Sequence, residues 1–161
     1  MGVVFDIKIN ETGVSGLLSG LYDRMTGEGL LPAFKNIGEY MVREREILFK
    51  EEHSPAGIPW APLAKSTKRS ILRKKGHQAL ANKKILTKDH HLRRTVYKAS
   101  ADQVVVSPDK TSKDYAAIHQ FGGKTGRGKK VFIPARPHLG FNKENQREFI
   151  RIIKDHLLGI L

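Results

Sequence analysis

Cysteine is absent from the 161 residues, which excludes disulfides, thiolate catalysis and cysteine-ligated zinc together. Tryptophan occurs once, and no stretch approaches the run of about eighteen apolar residues that a membrane-spanning helix requires. The first residues, MGVVFDIKIN, lack the basic segment followed by an apolar run of a secretory signal, so the chain is expected to be made and kept in a cytoplasm. Acidic residues are scarce where they would matter most for catalysis. No Asp or Glu lies between His53 and Lys88, so the clustered carboxylates a magnesium-dependent nuclease needs are missing. Neither HExxH nor two histidines at i,i+4 occurs, and the adjacent His90 and His91 would diverge by about 100° on a helix. No metal, cofactor or catalytic residue is expected.

What is abundant is positive charge. The formal net charge is +13 at pH 7, with 39% hydrophobic and 28% charged residues, a balance that supports a folded core and attraction to polyanions. From Lys65 to Lys98 twelve Lys and Arg face one acid, Asp89, for a local charge of +11. Ordinary surfaces intersperse both signs, so the run is more than a solvated face. Its candidate nucleic-acid-facing residues are Lys65, Lys68, Arg69, Arg73, Lys74, Lys75, Lys83 and Lys84. A second acid-free cluster adds Lys124, Arg127, Lys129 and Lys130, with Arg136 beyond them. No helix-turn-helix, zinc-finger or RNP-like motif accompanies the charge, so sequence-neutral contact with double-stranded DNA is the expected mode.

Gly123 to Lys129 also spells GxxxxGK, the pattern of a phosphate-binding loop. Three features argue against it. Lys130 stands where Ser or Thr would bind magnesium, a helix rather than a strand is predicted before it, and the strand-like VFIP follows instead of a helix. A flexible glycine-rich loop carrying cations to a surface is the better reading. His119 has no nucleophile nearby in sequence and reads as a hydrogen-bonded structural residue.

Periodicity predicts the elements. Val3, Phe5, Ile7 and Ile9 alternate as in a strand, and Val14, Leu17, Leu18, Leu21 and Met25 recur at helical spacing before Gly27. Gly13, Gly16 and Gly20 line another face of that helix. Pro32 suits the first turn of a second helix running to about Glu51, with Phe34, Ile37, Met41 and Leu48 inward and Arg43 to Glu46 largely solvated. HSPAGIPWAPL, residues 53–63, must be a loop, and Trp60 between Pro59 and Pro62 reads as its anchor rather than as a PxxP ligand. Residues 64–84 form a basic helix or mobile arm broken near Gly76. TVYKAS and QVVVS predict a hairpin, residues 114–121 a short helix ended by Gly122 and Gly123, VFIP a strand, and Asn142 the cap of a final helix burying Phe149, Ile152, Ile153 and Leu157. The whole reads as one α+β domain over 1–161: a small antiparallel sheet packed with two N-terminal helices and a C-terminal helix, plus an extended basic arm or loop at 64–84.

Four stretches stand in order: Gly57 to Thr67 (GIPWAPLAKST), Ile85 to Thr87 (ILT), Tyr115 to Gly123 (YAAIHQFGG) and Pro134 to Gly140 (PARPHLG). Together they resemble the phage virion morphogenesis family, the Mu-type tail completion and head–tail joining proteins. The family's usual Thr-Gly pair after ILT is replaced here by Lys88-Asp89-His90-His91, so a tight turn is not expected there. The resemblance implies a non-enzymatic virion component at the head–tail junction, assembled in the host cytoplasm. It implies a cyclic homo-oligomer, a hexamer, partnered by other connector proteins and a tail terminator or tail tube protein, with DNA passing through and no membrane involved. Trp60, Pro62, Tyr115, His119, Phe121, Arg136, Leu157 and Leu161 are the candidate structural or subunit-contact residues. The rival readings are a capsid assembly factor of the same phage and a sequence-neutral nucleic-acid-binding protein outside any virion.

Overall fold

The computed structural model describes residues 11–87, 91–129 and 131–159. The strand expected at 3–9 and the candidates Lys130 and Leu161 lie outside these, as do the side chain of Lys129 and most of the Lys88–His91 departure. Within the described residues nine regular elements follow in order: α1 (Glu11–Met25), α2 (Leu31–Glu51), α3 (Lys65–Ala81), β1 (Thr95–Ala99), β2 (Val104–Pro108), α4 (Lys113–Phe121), β3 (Gly123–Thr125), β4 (Val131–Ile133) and α5 (Lys143–Leu157). The α+β expectation holds, but the single sheet divides into two antiparallel pairs, β1–β2 and β3–β4.

The long α2 is the spine. Pro32 sits in its first turn, where the missing N–H removes a donor that would have no partner in the helix. Its inward face divides two cores. Toward its N-terminus Ala33 and Ile37 pack with Ile152 of α5, joined by Tyr40, Met41, Val104 and Phe149. Toward its C-terminus Leu48 and Phe49 pack with Trp60, Ile85, Leu92 and Ala116. The β1–β2 hairpin, in register Tyr97 to Val106, lies across α2, and Gly38 makes that approach possible: a β-carbon there would fall on the Tyr97 ring. The final helix starts where its cap residue predicts. Asn142 and Asn145 form a reciprocal capping box at 2.8 and 2.9 Å, and the Asn145 amide reaches on to Tyr40 and Glu44, pinning α5 to α2.

Three expectations are corrected. The first helix, expected to pack with the sheet, leaves its apolar stripe open: Leu17, Leu18, Leu21 and Met25 are all exposed. Helical spacing reports only that a face is apolar, not that anything covers it. The glycine-rich segment is a short hairpin, in which Lys124 stands opposite Phe132. Finally, Arg45 is buried rather than solvated, for reasons given below.

Candidate functional site

Segment 64–84 is mostly helix. Its chain direction changes at Gly76, whose φ of 81° and ψ of 179° only glycine adopts readily, so the helix is two short pieces rather than one rod. No residue of α3 is buried. Lys65, Lys68, Arg69, Arg73, Lys74 and Lys75 are all exposed, and α3 contains no acid. At 100° per residue these six cations spread around the axis rather than along one face, so they project a diffuse field and not a reading edge. Ile71, Leu72, Ala79 and Leu80 are half-buried, and the rest of α3 is exposed. The last two candidates of the run differ. Lys83 is half-buried, and the Lys84 ammonium donates to the Lys50 carbonyl at 3.3 Å, a cation placed at the C-terminal end of α2. The second cluster is separate in the fold, with Lys124 and Arg127 exposed on the β3–β4 hairpin.

The four signature stretches, scattered over 84 positions from Gly57 to Gly140, meet in one hydrogen-bonded knot. Trp60 is buried edge-on against Phe49, ring centroids 5.2 Å apart, and its indole N–H donates to the Pro137 carbonyl at 2.8 Å. From the other side buried Arg136 donates through Nε to the Ala61 carbonyl at 2.8 Å and through a terminal nitrogen to that of Pro62 at 3.0 Å. The Arg136 amide donates to the His119 carbonyl, while the Gln120 side chain accepts from the amides of His138 and Leu139 and donates to the Leu139 carbonyl. The Ile85 amide donates to the Glu52 carboxylate, which brings in the ILT stretch. These residues hold loops that have no ladder of their own, and so satisfy backbone groups that burial would otherwise strand.

At the centre stands Arg45, whose place in a charged run had predicted solvent. Its Nε donates to the His138 carbonyl at 3.0 Å, and its terminal nitrogens reach the Leu92 and Arg94 carbonyls, the Thr95 hydroxyl and His138 Nδ1. No carboxylate is among these partners; backbone carbonyls disperse the charge. Burial lowers its pKa to about 10, still well above neutrality. His138 is wholly buried, with Nδ1 accepting from Arg45 and Nε2–H donating to the Ala116 carbonyl at 3.3 Å. Burial first, then the charge of Arg45, pushes its pKa down to about 4 from 6.5. The folded chain therefore refuses a proton that the unfolded chain accepts between pH 6.5 and 4, and stability falls as pH drops through that window. The loss is expected to reach about 3 kcal/mol. Urea midpoints measured from pH 7 to 4.5 should fall more steeply for the natural chain than for His138→Gln; parallel slopes would remove His138 as the cause.

Tyr115 and Phe121, grouped in the sequence with Ala116 and Ile118 as one apolar face, part from them. Ala116 is buried and Ile118 half-buried, whereas Tyr115 and Phe121 face outward. Half-buried His119 stacks edge-on against Tyr115, and among the described residues its Nδ1 is a buried ring nitrogen without a hydrogen-bond partner. Burial and then the neighbouring Arg136 lower its pKa. Pro62 is exposed, with only its carbonyl engaged, and Leu157 is half-buried, its carbonyl accepting from Arg24 at 2.9 Å. The segment spelling GxxxxGK has a strand on either side of its turn and no helix after it, so its amides have no helix N-terminus behind them. Among the described residues no group of three or more His, Asp or Glu is placed to hold a metal ion, and no helix is long and apolar enough to cross a membrane.

The signature residues thus bind the chain's own loops to one another. Residues 9–158 match the phage virion morphogenesis family, and the chain belongs to that family. Among its relatives, Tail completion protein S of Escherichia phage P2 is 28% identical over 145 residues, 87% of this chain and 92% of that protein. Mu-like prophage FluMu G protein 2 of Haemophilus influenzae is 52% identical over 46 residues, 29% of this chain and 33% of that protein. No solved structure matches.

Proposed function

We propose that this chain completes the tail of a tailed-phage particle as a ring at the head–tail junction, with the duplex passing through. The ring is a closed homo-oligomer, a hexamer by family resemblance. It meets other connector proteins on one side and a tail terminator or tail tube protein on the other, and it is assembled in the host cytoplasm. The observation that carries the reading is α3: six exposed cations, no acid and no buried residue, in a chain whose P2 relative is named for tail completion. Passage of DNA favours diffuse charge over fixed base contacts, because counterion-release binding is sequence-independent and lets a protein slide.

Deleting the gene from its phage and imaging the lysate tests the role. DNA-filled heads and finished tails that stay apart, rejoined when the chain is supplied in trans, are the expected result. Missing or aberrant heads would point instead to a capsid assembly factor. Normal infectious particles would contradict any role in the virion.

A further inference from the structure

Among the described residues two open apolar surfaces stand out, and they are not alike. The first is α1, where Leu17, Leu18 and Tyr22 are 77%, 61% and 66% exposed. On a helix, Leu18, Leu21, Tyr22 and Met25 fall within an arc of about 100°. The helix is held to the body near its C-terminal end, where Arg24 donates to the Leu157 carbonyl and His156 to that of Gly29, while Leu18, Tyr22 and Met25 of the arc stay more than half exposed. The second surface is the end of α4 with the β3–β4 hairpin, where Phe121 and Phe132 are 80% and 68% exposed. Lys124 is the cross-strand partner of Phe132, so cation and ring share a face of the hairpin.

Their charges are opposite. Residues 11–29 carry Glu11, Asp23 and Glu28 against Arg24, a net −2, while residues 121–133 carry Lys124, Arg127, Lys129 and Lys130 with no acid, a net +4. In a chain of +13, like faces of the basic hairpin repel one another. A hairpin set against α1 of another copy meets the acidic end of the chain instead. The two rings of the hairpin face offer on the order of 300 Å² of apolar side chain, under half of the ~800 Å² that each partner contributes to a standard interface, which leaves a polar rim for the opposed charges.

We infer that the α1 arc of one copy docks on the Phe121–Phe132 hairpin face of the next, a head-to-tail contact. Because the two faces differ, the interface is heterologous, and its repetition gives either a closed ring or a filament. The inference rests on the proposed homo-oligomer and assigns its contact, moving Lys124 and Arg127 from the DNA-facing set to the subunit boundary.

Variants that each remove one face test this. Leu18→Ser/Tyr22→Ser and Phe121→Ser/Phe132→Ser should each sediment as folded monomers, with circular dichroism unchanged, where the natural chain assembles. Mixed in equal amounts, they retain one intact pair of faces and should form a 1:1 heterodimer and nothing larger. Since the chain has no cysteine, Leu18→Cys/Phe132→Cys should give a ladder of linked copies with a short bifunctional thiol reagent. Assembly of Phe121→Ser/Phe132→Ser on its own, or no cross-linked ladder from the assembled cysteine variant, would overturn the contact and leave the ring standing. A natural chain that is monomeric at every concentration would overturn the ring as well.

Discussion

Replacing Trp60 by alanine is expected to destabilise the chain by about 3–5 kcal/mol, the usual cost of emptying a buried aromatic site. Against a total stability of roughly 5–15 kcal/mol, that is a large fraction of what holds the chain folded. The indole is 5% exposed, lies edge-on against buried Phe49 and donates to the Pro137 carbonyl, so its removal opens a cavity and strands an acceptor at once. Trp60→Phe keeps most of the buried area and loses the donor, and should cost about 1–3 kcal/mol. Urea unfolding followed by circular dichroism separates the two. A Trp60→Ala chain of normal stability that no longer assembles would make Trp60 a subunit contact rather than a core anchor.

Replacing Lys68, Arg69, Arg73, Lys74 and Lys75 together by glutamine is expected to abolish retardation of random duplexes at moderate salt while leaving the fold intact. Glutamine retains helix propensity, and no residue of α3 is buried, so the unfolding midpoint should hardly move. Each phosphate no longer neutralised takes about 0.9 from the slope of log K against log salt, so five such phosphates flatten it by roughly 4.5. Across a fourfold range of salt at the low end, that flattening corresponds to about two to three decades of affinity. The Lys124 and Arg127 pair should add little to the slope if it lies at a subunit boundary. An unchanged slope in the five-residue variant would remove α3 from the DNA-facing surface.

Much of this architecture is legible in the sequence, because its signals are local. Pro32 starts α2, Asn142 caps α5, Gly122 caps α4 and the Asp102 turn joins β1 to β2, each at the place its backbone chemistry requires. The knot is not local. Gln120 serves amides 18 and 19 residues away and Arg136 carbonyls 75 and 74 residues away, distances over which no periodicity extends. Arg45 does leave a trace. It lies four residues after Met41 and eight after Ile37, on the inward stripe of α2, and its place within Arg43-Glu44-Arg45-Glu46 hides that registration behind a run of charge. β3 is three residues long and glycine-rich, too short for alternation to show. The open face of α1 shows in the sequence only as an apolar stripe, because amphipathicity does not name the surface that covers it.

Those open faces leave the assembled state as the point on which the functional account turns. Cryo-electron microscopy of intact particles, compared with particles carrying the chain fused to a small globular marker at its N-terminus, measures it most directly. A closed ring of this chain at the head–tail junction, with α3 turned toward the channel and the marker density repeated around it, is the predicted result. Marker density on the head shell, or a single copy at the junction with no cyclic repeat, would contradict the account.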